Sequence, residues 1–415
     1  MLAPATVGEA VPRLGTSETA SASARVRTPR LAAVLRDEER VTPLELFFDL
    51  VFVLAVTQCT ALMAAQPTWE GLAKGILVLA LMWWTWVGYA WLTSVVNPEE
   101  GMVRLAMFAA MAAVLVASLC IPEAFDDSAI LFGAAYATVR AAHIVLFLIA
   151  SRDNPTLRRP VLGLALSTSI GVGLIFVAAG FDGLVQGGIW ALALALDYLG
   201  PYLGRAEGWT LVPGHFAERH ALIVIVALGE SIVAVGAGAD IGVDAGVVGA
   251  AVLGIAIAAG LWWLYFDVVA LVAARRLASA SEGRERNEMA RDSYSYFHLP
   301  MIAGIVLIAL AMKKTLAHVD EPLDPVPALA LYGGTVLYLL GHLAFRLRNV
   351  HTVNRQRLVT ALLLTALIPL ALEVPALAAV AVLAGVLVVL VAYEAIRFAD
   401  ARDRVRHELA RQPLA

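Results

Sequence analysis

The stretch 215–240, HFAERHALIVIVALGESIVAVGAGAD, decides how the chain is read. It opens with a titratable cluster of His215, Glu218, Arg219 and His220, then passes into an apolar run long enough to cross a bilayer. Inside that run sits Glu230, between Gly229 and Ser231. A charge at the centre of a membrane helix costs roughly 2.5–3.5 kcal/mol on a translocon-type scale. Such a carboxylate is retained where it has a partner, a proton, an ion or a substrate. Asp49, near the start of the first apolar run, is its expected counterpart.

The rest of the chain agrees with a membrane setting. Its 415 residues are 60% hydrophobic and 15% charged, with a mean hydropathy of +0.79. Soluble domains are closer to about 25% charged. Long apolar runs recur along almost the whole length, which gives an all-α polytopic membrane protein. The net charge of −4 is too small to identify a partner. Cys59 and Cys120 both fall inside apolar runs, so neither a disulfide framework nor a thiolate metal site is indicated. His215, Glu218 and His220 lack metal-binding spacing, and no HExxH is present. Hydrolase elbow, P-loop and dinucleotide fingerprint are also missing, and nothing points to nucleic acid. No catalytic residue, metal or cofactor is therefore expected, and the chain does not read as an enzyme.

Residues 1–40 lack the apolar core and cleavage site of a signal peptide and read as a disordered cytoplasmic tail. Twelve spans follow, at about 43–64, 72–94, 102–121, 128–150, 160–180, 185–203, 219–238, 246–272, 295–314, 326–346, 357–373 and 376–398. With twelve spans both termini share one side, and 26 of the 30 Lys and Arg residues fall there. The other side has Lys74, Lys313 and Lys314, and Arg140 lies within the fourth span. The positive-inside rule places that basic side, and both termini, in the cytoplasm.

The spans read as two copies of one unit. Trp83-Trp84 matches Trp262-Trp263, Asp49 matches Glu230, and Arg104 to Met107 matches His298 to Met301. His143 likewise matches His342, and Asp197 matches Glu394. The expected organisation is a six-helix repeat at 41–204, a cytoplasmic linker at 205–218, a second repeat at 219–398 and a tail at 399–415. One longer charged loop, 275–293, separates landmarks in the second copy. Six is an even number, so the repeats enter the membrane in the same sense, about an axis along its normal.

Several polar residues fall within spans. Glu45 and Asp49 are four apart and share a helix face, with Asp49 roughly 8–12 Å inside. Arg140 and His143 also share a face. Arg140 calls for an acid partner, with Asp49 and Asp197 as candidates, and such a pair holds helices in register. His143 and His342 are expected to hydrogen-bond a neighbouring carbonyl or hydroxyl. His298 opens the ninth span behind Tyr294 and Tyr296. Asp267 and Glu394 lie near cytoplasmic ends and are expected to reach water. Gly200-Pro201 should break or kink the sixth span after Asp197, and Gly229 should admit a close helix neighbour. The Trp residues at 83, 84, 86 and 91 read as packing, with interfacial anchoring at one end. His215, Glu218, Arg219 and His220 read as a loop network at the cytoplasmic mouth.

Three segments carry a family resemblance: ERVTPLELFFDLVFVLAVTQ at 39–58, ERHALIVIVALGESIVAVG at 218–236 and YSYFHLPMIAGI at 294–305. Together they resemble the bacterial low temperature requirement A (LtrA) family, over about 38–400. The resemblance implies a multi-pass inner-membrane protein linked by name to growth in the cold, with no biochemical activity attached. A Gly often follows the family's Glu-Arg pair, where this chain has His220. Separately, FFDLVFVLAVT at 47–57 is similar to the Phe-Ser-Asp helix signature of two-repeat potassium channels. Phe48 replaces its Ser, and Leu-Gly-Glu-Ser-Ile at 228–232 departs from it.

The leading expectation is a transporter or permease for an unknown small solute. In it Asp49 and Glu230 line a cavity between the halves and couple to protons or cations. Glu45, Asp197, Arg140, His143, His298 and His342 complete the candidate set. The alternatives are a cation channel built on the first and seventh helices, and a non-transporting structural or lipid-interacting protein whose acids only hold helices together. The lipid bilayer is the one partner that the sequence names; oligomeric state is not legible.

Overall fold

A computed structural model of the chain describes residues 40–99, 101–203, 208–238, 244–400 and 402–404. The expected tails therefore lie almost wholly outside the described residues. Every regular element described is helical. The helices are α1 (Pro43–Ala65), α2 (Trp69–Val95), α3 (Gly101–Cys120), α4 (Ala129–Ala150), α5 (Pro155–Ala178), α6 (Gly183–Leu203) and α7 (Pro213–Gly238). There follow α8 (Ala245–Phe266), α9 (Val269–Ser279), α10 (Arg284–Met289), a π-helical stretch (Ala290–Tyr296), α11 (His298–Ala317), α12 (Pro325–Val350), α13 (Arg355–Leu367) and α14 (Ala376–Arg397). Among the described residues twelve spans are long and apolar enough to cross a membrane, as the sequence predicts. α9 extends the eighth span, and α10 with the π-helical stretch leads into the ninth.

Local chemistry sets the helix starts. Thr42 caps α1, Pro43 occupies its first turn, and Glu45 reaches back to complete a capping box. Asn154 caps α5 ahead of Pro155, Asp244 caps α8, and Asn354 caps α13. Apolar side chains such as Leu166, Val252, Leu362 and Ile396 are exposed on the outside of the bundle, where a bilayer supplies their solvent.

Three expectations change here. α7 begins at Pro213, so its first two turns take up the end of the expected linker. Within the eighth span α8 ends at Phe266, and the chain turns through Asp267 and Val268 into α9. The expected loop at 275–293 is consequently mostly helical. α6 also continues through Pro201 to Leu203 instead of breaking before it. Proline at that position removes only one ladder bond close to the helix end.

α2 and the span containing α11 are the central helices, each with 78% of its span window buried, against 22% for α6. In the first half α1 packs on α2 and α3, α2 on α4 and α6, α3 on α4, and α5 on both α4 and α6. In the second half α7 packs on α8 and α11, α9 on α12, α8 on α14, α11 on α12, and α13 on both α12 and α14. α1 meets α7 and α11 where the halves join. α11 and α12 approach backbone to backbone: a Cβ at Gly304 would lie 2.4 Å from the Gly334 carbonyl oxygen. Gly229 makes no comparable contact, since a Cβ there meets nothing within 4 Å. The end of the bundle at which α1 and α7 begin carries most of the Arg residues and is termed the basic end.

Candidate functional site

At the basic end, one polar network ties the two halves together through α1, α2 and α7. Glu45 has a double role. Its Oε2 accepts from the Thr42 backbone N–H at 2.8 Å and from the Thr42 hydroxyl at 3.0 Å, which fixes the start of α1. Its Oε1 lies 2.8 Å from His215 Nε2 and 3.5 Å from Arg219 Nη1. One turn further, Asp49 Oδ1 accepts from Arg219 Nη2 at 2.7 Å and from the Trp86 indole N–H at 2.8 Å. The Arg219 guanidinium also lies over the Trp86 ring, 5.5 Å from its centroid. Glu45, Asp49, His215 and Arg219 are all buried. The i, i+4 spacing of Glu45 and Asp49 faces the i, i+4 spacing of His215 and Arg219 across two helices that start together.

These positions correct the expected loop network. His215, Arg219 and His220 are buried helical residues of α7, and only Glu218 is exposed, accepting from the Val41 N–H at 3.1 Å. His220 and His298 are each held in a definite way. His220 Nδ1 donates to the Phe216 carbonyl at 2.8 Å, and its ring meets Trp86 edge-on with centroids 5.0 Å apart. His298 Nδ1 donates to the Ser293 carbonyl at 3.0 Å, which leaves Nε2 to accept from the Tyr265 hydroxyl at 2.8 Å.

Glu230 lies at a different level. Its Oε2 accepts from the Thr57 hydroxyl of α1. Lys313 of α11 acts on it only from longer range. Among the described residues, Glu230 is the buried carboxylate without an ion pair. Asp49 is level with Arg219 and Glu230 with Thr57, so roughly 12–16 Å of helix separates the two acids. Phe52 and Val56 of α1, Ile223 and Ala227 of α7, Met82 of α2 and Ile302 of α11 fill the interval around a void of about 20 Å³. Asp49 and Glu230 therefore do not occupy matching places, and an apolar layer stands between them. The sequence match paired them because each precedes an apolar run; the aligned starts of α1 and α7 put Arg219 opposite Asp49.

Two further ion pairs lie one in each half. Arg140 of α4 contacts Asp197 of α6 at 3.4 Å and Thr168 of α5 at 2.6 Å, and the Tyr136 hydroxyl donates to Asp197 at 3.2 Å. Of the two acids expected to hold Arg140, Asp197 is the one that does. In the second half Arg357, in the first turn of α13, donates to Glu394 of α14 at 2.7 and 3.0 Å. Its Nη1 also reaches His342 Nδ1 at 2.8 Å and the Leu264 carbonyl at 3.0 Å. Glu394 is thus held by Arg357 and by the Asn354 amide at 2.8 Å, and Asp267 is paired with Arg402 at 3.1 Å. Neither histidine bonds as expected. His342 takes an Arg donor, and neither ring nitrogen of His143 makes a well-formed hydrogen bond. The His143 ring packs on Gly88 and edge-on to Phe147, 5.0 Å between centroids.

Six participants leave little or no mark as such in the sequence. A buried indole N–H needs an acceptor, which is the signal that Trp86, Trp83 and Trp91 do more than pack; the last two donate to Ser295. Arg357 stands at a helix N-terminus, where the dipole disfavours a cation, and that placement signals a carboxylate partner. Thr57 leaves no such signal, since a Thr hydroxyl in an apolar run usually bonds its own helix, whereas the buried Tyr265 hydroxyl needs a partner as the indoles do.

Comparison with known proteins adds a family and one relative. The family model described as bacterial low temperature requirement A protein (LtrA) matches residues 40–392. An uncharacterized protein of Rhizobium meliloti (strain 1021) is 29% identical over 322 residues, which cover 74% of this chain and 76% of that one. No solved structure matches the chain.

Proposed function

The chain belongs to the bacterial low temperature requirement A (LtrA) family, and we propose that this integral membrane protein is a permease for a small solute, coupled to protons or cations. The observation that carries the reading is Glu230. It is buried among spans, with a hydroxyl as its hydrogen-bond partner and no ion pair among the described residues. A carboxylate held in this way takes up and releases a proton, or meets a cation, without breaking a salt bridge. Intramembrane acids of this kind mark ion and proton pathways. Glu45 and Asp49 have the opposite character, because Arg219, His215 and Trp86 fix them in place. Their role is to lock α1 to α7 at the basic end.

The apolar layer between the two levels suits a permease, which must not leak, and stands against a permanently open channel. The two halves have matching sets of helix neighbours, from α1–α2 and α7–α8 through to α5–α6 and α13–α14. That correspondence supports two six-helix repeats of parallel topology. Concentration of Arg at one end supports an inner-membrane orientation with both termini in the cytoplasm.

A second reading, a non-transporting membrane protein, is favoured by one observation: Asp49, Asp197 and Glu394 are all paired with Arg. Proteoliposomes with an internal pH dye separate the two. Under an imposed proton gradient the wild-type protein carries proton flux, and Glu230→Gln lowers it at least tenfold while Asp197→Asn does not. Equal flux in wild type and Glu230→Gln overturns the permease reading.

A further inference from the structure

Away from the contact of α1 with α7, the second half has a cavity of about 410 Å³ at the basic end, between α8, α12, α13 and α14. Its charged lining is Arg346, Arg355, Arg357, Arg402, Asp267 and Glu394. The two acids are already engaged: Glu394 by Arg357 at 2.7 Å and Asp267 by Arg402 at 3.1 Å. Among the described residues the hydrogen-bond partner of Arg346 is neutral, the Thr352 hydroxyl at 3.1 Å, with Arg357 as a like charge and Glu394, already held by Arg357, as an opposite charge near it. Arg355 has no salt bridge among the described residues. The cavity therefore holds two guanidinium groups in excess of its carboxylates.

We propose that this cavity binds a phosphate-bearing anion, either the headgroup of an acidic phospholipid or a free phosphate. Two excess guanidinium groups match the charge of such an anion, and their planar forks suit its oxygens. The first backbone N–H groups of α13 are not available, since Asn354 Oδ1 already accepts from Gln356 and Arg357. Recognition thus falls to the Arg346 and Arg355 side chains. A volume of 410 Å³ exceeds a phosphate group and leaves room for several waters at about 30 Å³ each. Trp263 and Phe398 give the cavity an apolar rim against which a glycerol or acyl segment packs. Basic pockets between spans are known sites for phospholipid headgroups.

The test uses the full chain in phosphatidylcholine nanodiscs and reads the thermal unfolding midpoint. One arm titrates inorganic phosphate against chloride at constant ionic strength, and the other replaces part of the phosphatidylcholine with phosphatidylglycerol. The proposal expects a saturable rise in at least one arm. It also expects the apparent affinity to fall at least tenfold in Arg346→Gln/Arg355→Gln and to be retained in Arg152→Gln/Arg158→Gln, which removes equal charge from exposed positions at the same end. A rise with lipid alone assigns a headgroup, and a rise with phosphate alone assigns a soluble ligand. If the first double variant does not fold, the wild-type contrasts of phosphate with chloride and of phosphatidylglycerol with phosphatidylcholine still decide. No rise in either arm, or equal losses in both double variants, overturns the proposal.

Discussion

Replacing Arg219 by Gln is the most demanding test of the basic-end network. Arg219 bonds Asp49 at 2.7 Å and lies 3.5 Å from Glu45, and both carboxylates are fully enclosed. Removing one partner of a buried pair costs about 3–5 kcal/mol, because a charge is left without compensation. His215 continues to hold Glu45, so the loss is concentrated at Asp49. Asp49→Asn is milder, at about 1.5–3 kcal/mol, the range for a lost charged hydrogen bond. Its side-chain oxygen still accepts from Trp86. In the double variant the stranded carboxylate is gone, so the two losses add to less than their sum, by about 1–3 kcal/mol of coupling. Equilibrium unfolding of the purified full chain in mixed detergent micelles, run as a double-mutant cycle, reads these quantities. An Arg219→Gln loss below about 1 kcal/mol, or additivity within about 0.5 kcal/mol, refutes the assignment of this pair as the lock between α1 and α7.

Other outcomes follow from the same geometry. Gly304→Ala puts a methyl 2.4 Å from the Gly334 carbonyl oxygen and should destabilise by about 1–3 kcal/mol, whereas Gly229→Ala, facing open space, should leave the unfolding curve unchanged or raise stability slightly. Arg140→Leu should lower stability by about 3–5 kcal/mol, and adding Asp197→Leu should restore most of it, since apolar replacements of a whole buried pair are often neutral; a double variant as unstable as the single one contradicts a purely structural pair. Thr42→Ala removes the cap of α1 and should cost about 0.5–2 kcal/mol in the same unfolding assay.

Sequence and structure agree most where apolar length decides. Twelve spans were legible because the bilayer admits only segments whose backbone is satisfied internally. Hydropathy also delimited most span ends within a few residues. It failed at α7, because Pro213, His215, Glu218 and Arg219 are polar enough to pass for a loop, yet they form a helix whose buried face answers Glu45 and Asp49. It failed again at 275–293, where α9 and α10 are too charged to look like part of a span. Single acids were found by their cost, and Arg140 correctly asked for a partner. Which acid answered which cation was not legible, since pairing depends on helix level and azimuth. The match of Asp49 with Glu230 shows this: similar neighbours in sequence, but places roughly 12–16 Å apart along the bundle.

On this reading Glu230 is the carboxylate that exchanges a proton. A hydrophobic carbodiimide reacts with protonated carboxyl groups within membranes, and peptide mass spectrometry locates the adduct. Modification of Glu230 should fall as the pH rises, with Asp49 and Asp197 left unmodified in their ion pairs with Arg219 and Arg140. An unmodified Glu230 across the pH range, or equal labelling of Asp49, contradicts it.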